Sequence, residues 1–171
     1  MIYKFEEKLP EIEEGVFLAD GSRVIGNVAI GKDSSVWHNS VIRGDINRIE
    51  IGSGSNIQEL TTIHVNTRNE GTFIGDNTTV GHNVIIHGCV IGNNCLIGMG
   101  SIILDCSEIS DHSLVAAGSI VTPDKKFPPR SFIIGSPARA IRSLTDEEVF
   151  AITDSARKYV DLKNKYLNNS L

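Results

Sequence analysis

Residues 91–121 read IGNNCLIGMGSIILDCSEISDHSLVAAGSIV, and within them Ile91, Ile97, Ile103, Ile109, Val115 and Val121 stand six apart without a slip. An α-helix repeats its apolar face about every 3.6 residues and a half-buried strand about every 2, so neither gives this period. A six-residue unit with one inward aliphatic is instead one short side of a prism. Three sides make a coil of about 18 residues, and successive coils stack as parallel strands about 4.8 Å apart. A β-sandwich of short strands is the competing architecture, but its turns recur at a looser spacing of about 8–12 residues.

Working outward, Ile30, Val36 and Ile42 keep the same interval, as do Ile51, Ile57 and Ile63, and then Ile74, Val80 and Ile86. Glycine often follows the aliphatic residue (Gly31, Gly52, Gly75, Gly81), and a small residue often takes the fifth place (Ser40, Ser55, Thr61, Thr78). Three interruptions stand out. Ile42 to Ile51 is nine, an insertion of three around Asp45–Arg48; Ile63 to Ile74 is eleven, an insertion of five at 66–71; Ile86 to Ile91 is five, a deletion beside His87. Interruptions in a solenoid are expected to be loops that serve a site. After Val121 the proline-rich TPDKKFPP is expected to end the ladder, and IIGSPARAIRSL reads as an extended return. Thr145-Asp-Glu-Glu148 forms a capping box. Val149, Ile152, Ala156, Tyr159, Val160, Tyr166 and Leu167 then recur at helical spacing, so an amphipathic helix is expected against the prism wall or a subunit junction.

The chain has 171 residues, enough for one domain, expected as a β-helix over about 12–135 and a terminal helix over about 145–168. A formal charge of −5 gives no reason to expect nucleic acid or an anionic membrane as partner. Lys4, Glu6, Glu7, Lys8 and Glu11 break up the apolar residues of Met1–Leu18, so no secretory leader is expected. The three cysteines make no CxxC pair, so a disulfide framework is not expected and the cytoplasm is the default compartment. They serve as small apolar fillers, with Cys89 considered as a redox sensor because it lies two residues from His87.

Three of the five histidines, His64, His82 and His87, fall in the interrupted region. His64 follows Ile63 and His87 follows Ile86, so both hold the same place in their hexads. Their separation of 23 is one coil plus the five-residue insertion, which puts His87 directly above His64. Two imidazoles stacked about 4.8 Å apart can converge on one ion with bonds of about 2.0–2.1 Å. His82, five residues before His87, points elsewhere and cannot readily share that ion within one chain. In a threefold homotrimer it could do so, each site taking His64 and His87 from one subunit and His82 from the next. His38 and His112 lack a matching stack, and a solvated surface histidine is the ordinary alternative for all of them.

Arg43-Gly44-Asp45, Asn56-Ile57-Gln58-Glu59, His64 six residues after Gln58, and Gly81-His82 with His87-Gly88-Cys89 together resemble the γ-class carbonic anhydrases, in the short bacterial branch of the hexapeptide-repeat family. The resemblance covers nearly the whole chain; its Gly135–Arg139 segment, shared with acyltransferases, does not discriminate. It implies an all-β fold, a left-handed parallel β-helix with a C-terminal helix along it. It also implies a metal held by His64, His82 and His87, zinc foremost with Fe²⁺ or Co²⁺ possible. Three neutral histidines leave a tetrahedral zinc one open position, where water is activated to attack carbon dioxide.

The resemblance places Gln58 where it would orient water or substrate and Asn56 where it would hold Gln58. Arg43 and Asp45 match an interface pair whose Arg can meet bicarbonate, with a purely structural ion pair as the alternative. Tyr159 matches a position near the pocket, with packing as its alternative. One departure is plain: Asp45 is followed by Ile46 rather than a second acid, and the loop after His64 is the short VNTRNEG. Slow or buffer-dependent activity is therefore expected, with Glu59 or Glu70 as candidate proton relays. A metal-dependent hydrolase of acyl thioesters, an acyl-CoA acyltransferase and a non-catalytic metal-binding scaffold are the competing functions.

Overall fold

The computed structural model describes residues 1–67 and 71–169. The chain winds as a left-handed parallel β-helix whose short strands stack in register on three faces, closed by helix α1, Asp146–Asn169. Each face has one inward column of like residues. On the first, Val24, Ile42, Ile63, Ile86, Ile103 and Val121 pair in succession. The second runs Ile12, Ile30, Ile51, Ile74, Ile91, Ile109 and Phe127. The third runs Leu18, Val36, Ile57, Val80, Ile97, Val115 and Ile133. Nearly all of these side chains form one buried core.

The columns correct the expectation that TPDKKFPP ends the ladder. Phe127 and Ile133 continue the six-residue step beyond Val121, in the strands Lys126–Phe127 and Ser131–Gly135. Pro123, Pro128 and Pro129 lie outside these strands, between one face and the next, where the missing N–H costs no ladder bond. The extended return is an antiparallel hairpin, Ser131–Gly135 against Ala138–Ser143.

The small fifth residue has a polar task as well as a steric one. Ser40 Oγ donates to Gln58 O at 2.7 Å, Ser55 Oγ to Gly75 O at 2.7 Å, and Thr61 Oγ1 to Gly81 O at 3.0 Å, each tying one coil to the next. Buried hydroxyls must be paired in this way to avoid a desolvation cost.

Helix α1 opens as the capping box requires. Glu148 N–H donates to Thr145 Oγ1 at 3.3 Å, and Thr145 N–H to Glu148 Oε2 at 2.9 Å. Ile152 and Ala156 are buried beneath it. Tyr159 and Tyr166 pack edge-on against Trp37, with ring centroids 5.7 and 5.1 Å away. Hydrophobic spacing gave no hint of Lys163. It is 1 % exposed, and its Nζ donates to Gly15 O at 2.6 Å and to Asp33 Oδ1 at 2.8 Å, which pins the helix to the wall. Among the described residues no helix is long and apolar enough to cross a membrane.

Candidate metal centre

The interruptions of the repeat build the site. The insertion at Asp45–Arg48 is not a loop, as expected, but part of one long strand, Val41–Ile51, bulged against Gly26–Val28. The bulge releases Asp45 from the ladder, and its Oδ1 lies 2.9 Å from His64 Nε2. The one-residue deletion after Ile86 makes a tight corner at Gly88, whose φ is +57°. A Cβ there would meet Asp105 Oδ1 at 2.5 Å and Asn66 Nδ2 at 2.6 Å, so glycine makes room for both side chains beside His87.

His64 and His87 close the strands Thr62–His64 and Ile85–His87 and pair directly in the ladder. Their rings stack at 5.2 Å between centroids, with His64 Nδ1 only 3.2 Å from His87 Nε2. The other nitrogen of each ring faces a carboxylate: Asp45 for His64, and Asp105, at 2.5 Å from Nδ1, for His87. Asp45 also pairs with Arg43 and is 18 % exposed. Burial works against its ionisation, but the hydrogen bonds from His64 and Arg43 outweigh it and hold the carboxyl below its usual range.

An ionised carboxylate only accepts, so the ring nitrogen that faces it carries the proton. Neutral imidazoles have one proton each. With both rings neutral and protonated towards their carboxylates, His64 Nδ1 and His87 Nε2 would face each other as two bare lone pairs, an arrangement that a cation between them relieves. Two nitrogens at bonds of about 2.0–2.1 Å on a tetrahedral ion stand about 3.3–3.4 Å apart, so the observed spacing fits. The pair also has the carboxylate–histidine arrangement that orients metal ligands.

His82 belongs to a different surface. Its Nδ1 donates to Glu59 Oε2 at 2.6 Å, and with Gln58, Leu96, Met99, Leu114 and Tyr159 it lines an apolar groove of about 410 Å³. Gln58 Nε2 donates to Asn56 Oδ1 at 3.1 Å, and Asn56 Nδ2 to Thr79 Oγ1 at 2.9 Å, which fixes the Gln58 amide at the groove wall. Burial, and then the charge of Glu59, raises the pKa of Tyr159 and keeps its hydroxyl protonated. Among the described residues no three His, Cys, Asp or Glu side chains converge on one point. One chain thus brings Arg43, Asp45, His64 and His87 together on one surface, and Asn56, Gln58, His82 and Tyr159 on another.

Asp105 and Asn66 escaped the sequence reading. Asp105 stands 18 residues after His87, one place beyond the 17-residue coil that the deletion leaves between Ile86 and Ile103, so the ladder spacing did not mark it. Glu70 lies outside the described residues, and Glu59 sits on His82. Cys89 is fully buried and its thiol is pushed up to about 12 by that burial, which removes it as a redox sensor.

Comparison with known proteins agrees with this architecture. The family described as bacterial transferase hexapeptide (six repeats) matches residues 10–44, 71–103 and 88–123. A carbonic anhydrase of Geobacillus kaustophilus is 42 % identical over 166 residues, covering 97 % of this chain and 90 % of that protein. The chain belongs to the γ-carbonic anhydrase-like proteins of the hexapeptide-repeat family. Gamma carbonic anhydrase 2, mitochondrial, of Arabidopsis thaliana is 44 % identical over 161 residues; these cover 91 % of this chain but only 58 % of that longer protein. A solved hexapeptide transferase family protein from Anaplasma phagocytophilum superposes with a TM-score of 0.92 at 38 % identity, covering 96 % of this chain and 97 % of that one.

Proposed function

We propose that this protein is a metal-dependent hydratase that interconverts carbon dioxide and bicarbonate, working as a homotrimer with His64 and His87 of one subunit facing His82 of the next. The observation that carries it is the pair of imidazole nitrogens 3.2 Å apart, each ring backed by a carboxylate. His82 lies on a separate surface and has the same backing, from Glu59, so it is suited to complete the set from outside. Zinc suits three neutral imidazoles, and when bound it would supply the Lewis acidity that lets water lose a proton near neutral pH.

The chain's own residues do the rest. Gln58 has its amide nitrogen committed to Asn56, which leaves its carbonyl oxygen to accept from and orient the reacting water. Arg43 is 44 % exposed, so its remaining N–H groups are available to bicarbonate while Asp45 holds the guanidinium in place. The apolar residues Leu96, Met99 and Leu114 offer carbon dioxide a surface that does not compete for it with hydrogen bonds. The proton released must leave the site, and Ile46, 53 % exposed, stands where a relaying acid would follow Asp45. Turnover is therefore expected to rise with buffer concentration.

Metal content per chain, the mass of the assembly and carbon dioxide hydration are the deciding measurements, on the protein and on His64→Ala and His82→Ala. About one metal per chain on a trimer, lost in both variants while the trimer persists, is expected for a site of this kind. Protein that holds no metal after purification without chelators overturns the proposal. The groove beside His82 is larger than carbon dioxide needs, which favours hydrolysis of a small acyl thioester as the second reading. Turnover of acetyl-CoA in place of carbon dioxide would select it.

A further inference from the structure

Each candidate metal-ligating histidine leans on a carboxylate from a neighbouring coil; Asp105 has no other assigned task, and Glu59, a candidate proton relay from its sequence position, lies against His82. We propose that Asp105 and Glu59 are positioning residues that hold His87 and His82 with the ring proton on Nδ1, so that each presents Nε2 as a bare lone pair.

The geometry at Asp105 is the more constrained. Ile86 pairs with Ile103, which sets Asp105 one coil from Gly88, and Cys106 N–H donates to Gly88 O at 2.7 Å to draw the two corners together. Asp105 Oδ1 then accepts from both His87 Nδ1 and Asn66 Nδ2, each at 2.5 Å, so the carboxylate that orients the imidazole is itself oriented. Glu59 repeats the device on the other surface. Asn83 N–H donates to Glu59 O at 2.8 Å, which stacks the two corners, and Glu59 Oε2 lies 2.6 Å from His82 Nδ1.

Among the described residues neither carboxylate pairs with a lysine or arginine, so no cationic side chain competes with the imidazole for it. An ordinary surface ion pair would add little stability. A fixed tautomer adds something else, because free imidazole favours the proton on Nε2, which would block the nitrogen that a metal needs. These tautomers serve function only if the metal-centre reading holds, yet they are a property of the chain itself.

Metal-free protein carrying ¹⁵N-histidine, recorded at about pH 8 where imidazole is neutral, reads the tautomers directly. His82 and His87 are expected with the proton on Nδ1. Asp105→Asn should move His87 and not His82, and Glu59→Gln should move His82 and not His87, towards the Nε2-protonated form, since an amide can donate to Nδ1 where a carboxylate cannot. The spectra of His38 and His112 report whether the fold is intact. Zinc affinity, measured against a competing chelator, should fall by roughly 10- to 100-fold in each variant. Unchanged tautomers, or shifted tautomers with zinc affinity within about twofold of the parent, overturn the positioning role. Parent protein that takes up no zinc overturns the metal-centre reading instead, and the tautomers then decide this inference on their own.

Discussion

Gly88 shows how much one residue can decide near the site. Its φ of +57° and the approach of Asp105 and Asn66 leave no room for a methyl group. Gly88→Ala is expected to cost about 1–3 kcal/mol from the left-handed backbone and the displaced contacts. Thermal unfolding should show that loss, accompanied by weaker metal uptake than in the parent. The cysteines give a second prediction at this scale. Burial pushes the thiols of Cys89 and Cys95 up to about 12, and Cys106 is partly exposed. Alkylation of folded protein followed by mass spectrometry should therefore mark Cys106 and spare the other two until denaturant is added. Fast labelling of Cys89 in the native state would contradict its place in the core.

Helix α1 is attached by two polar devices that respond differently to change. The salt bridge and hydrogen bond from Arg142, with the Thr145 backbone N–H, lower the Glu148 pKa from 4.5 to about 2. A carboxylate depressed on folding stabilises above its unfolded pKa and loses that contribution as pH falls through the folded value. The cap should thus weaken between about pH 4.5 and 2, an effect that Glu148→Gln removes and that added salt reduces because the group is exposed. The second device is the pair between Lys163 and Asp33, 1 % and 41 % exposed. Removing the solvated partner strands a buried ammonium, whereas removing the lysine leaves an aspartate that water can reach. Asp33→Asn is therefore expected to destabilise by about 3 kcal/mol and Lys163→Met by about 1 kcal/mol. Denaturant melts of the two variants give this order directly, and the reverse order would mean that the lysine is not held as an ion.

For the whole molecule, the separation of His82 from His64 and His87 makes a prediction that no single chain can satisfy. If the proposed site lies between subunits, His64→Ala and His82→Ala trimers each lack every complete site, but their mixed trimers do not. After refolding an equal mixture, about a quarter of the subunit junctions should join an intact His82 to an intact His64 and His87. Metal uptake and hydration should recover to that fraction. No recovery in mixed trimers would place the site within one chain or remove it.

Reading the fold from the chain worked because the core is a column of identical steps. Each coil buries the same few aliphatic positions, so the period is written openly in Ile91, Ile97, Ile103 and their like, and a break such as the deletion beside His87 is visible as a missed step. The stacking of His64 on His87 followed from the same arithmetic. That arithmetic says where backbones align, not where long side chains reach, so Asp105, Asn66 and the partner of Lys163 were illegible until the coils were seen in register. Proline also misled at the end of the ladder, because its local veto applies within a strand and these prolines fall between strands. The sequence by itself determined the repeat, the inward columns and the two stacked histidines, since one-dimensional spacing maps directly onto a solenoid. Which nitrogen of each ring meets a carboxylate came instead from the folded chain, because those carboxylates are brought in from neighbouring coils.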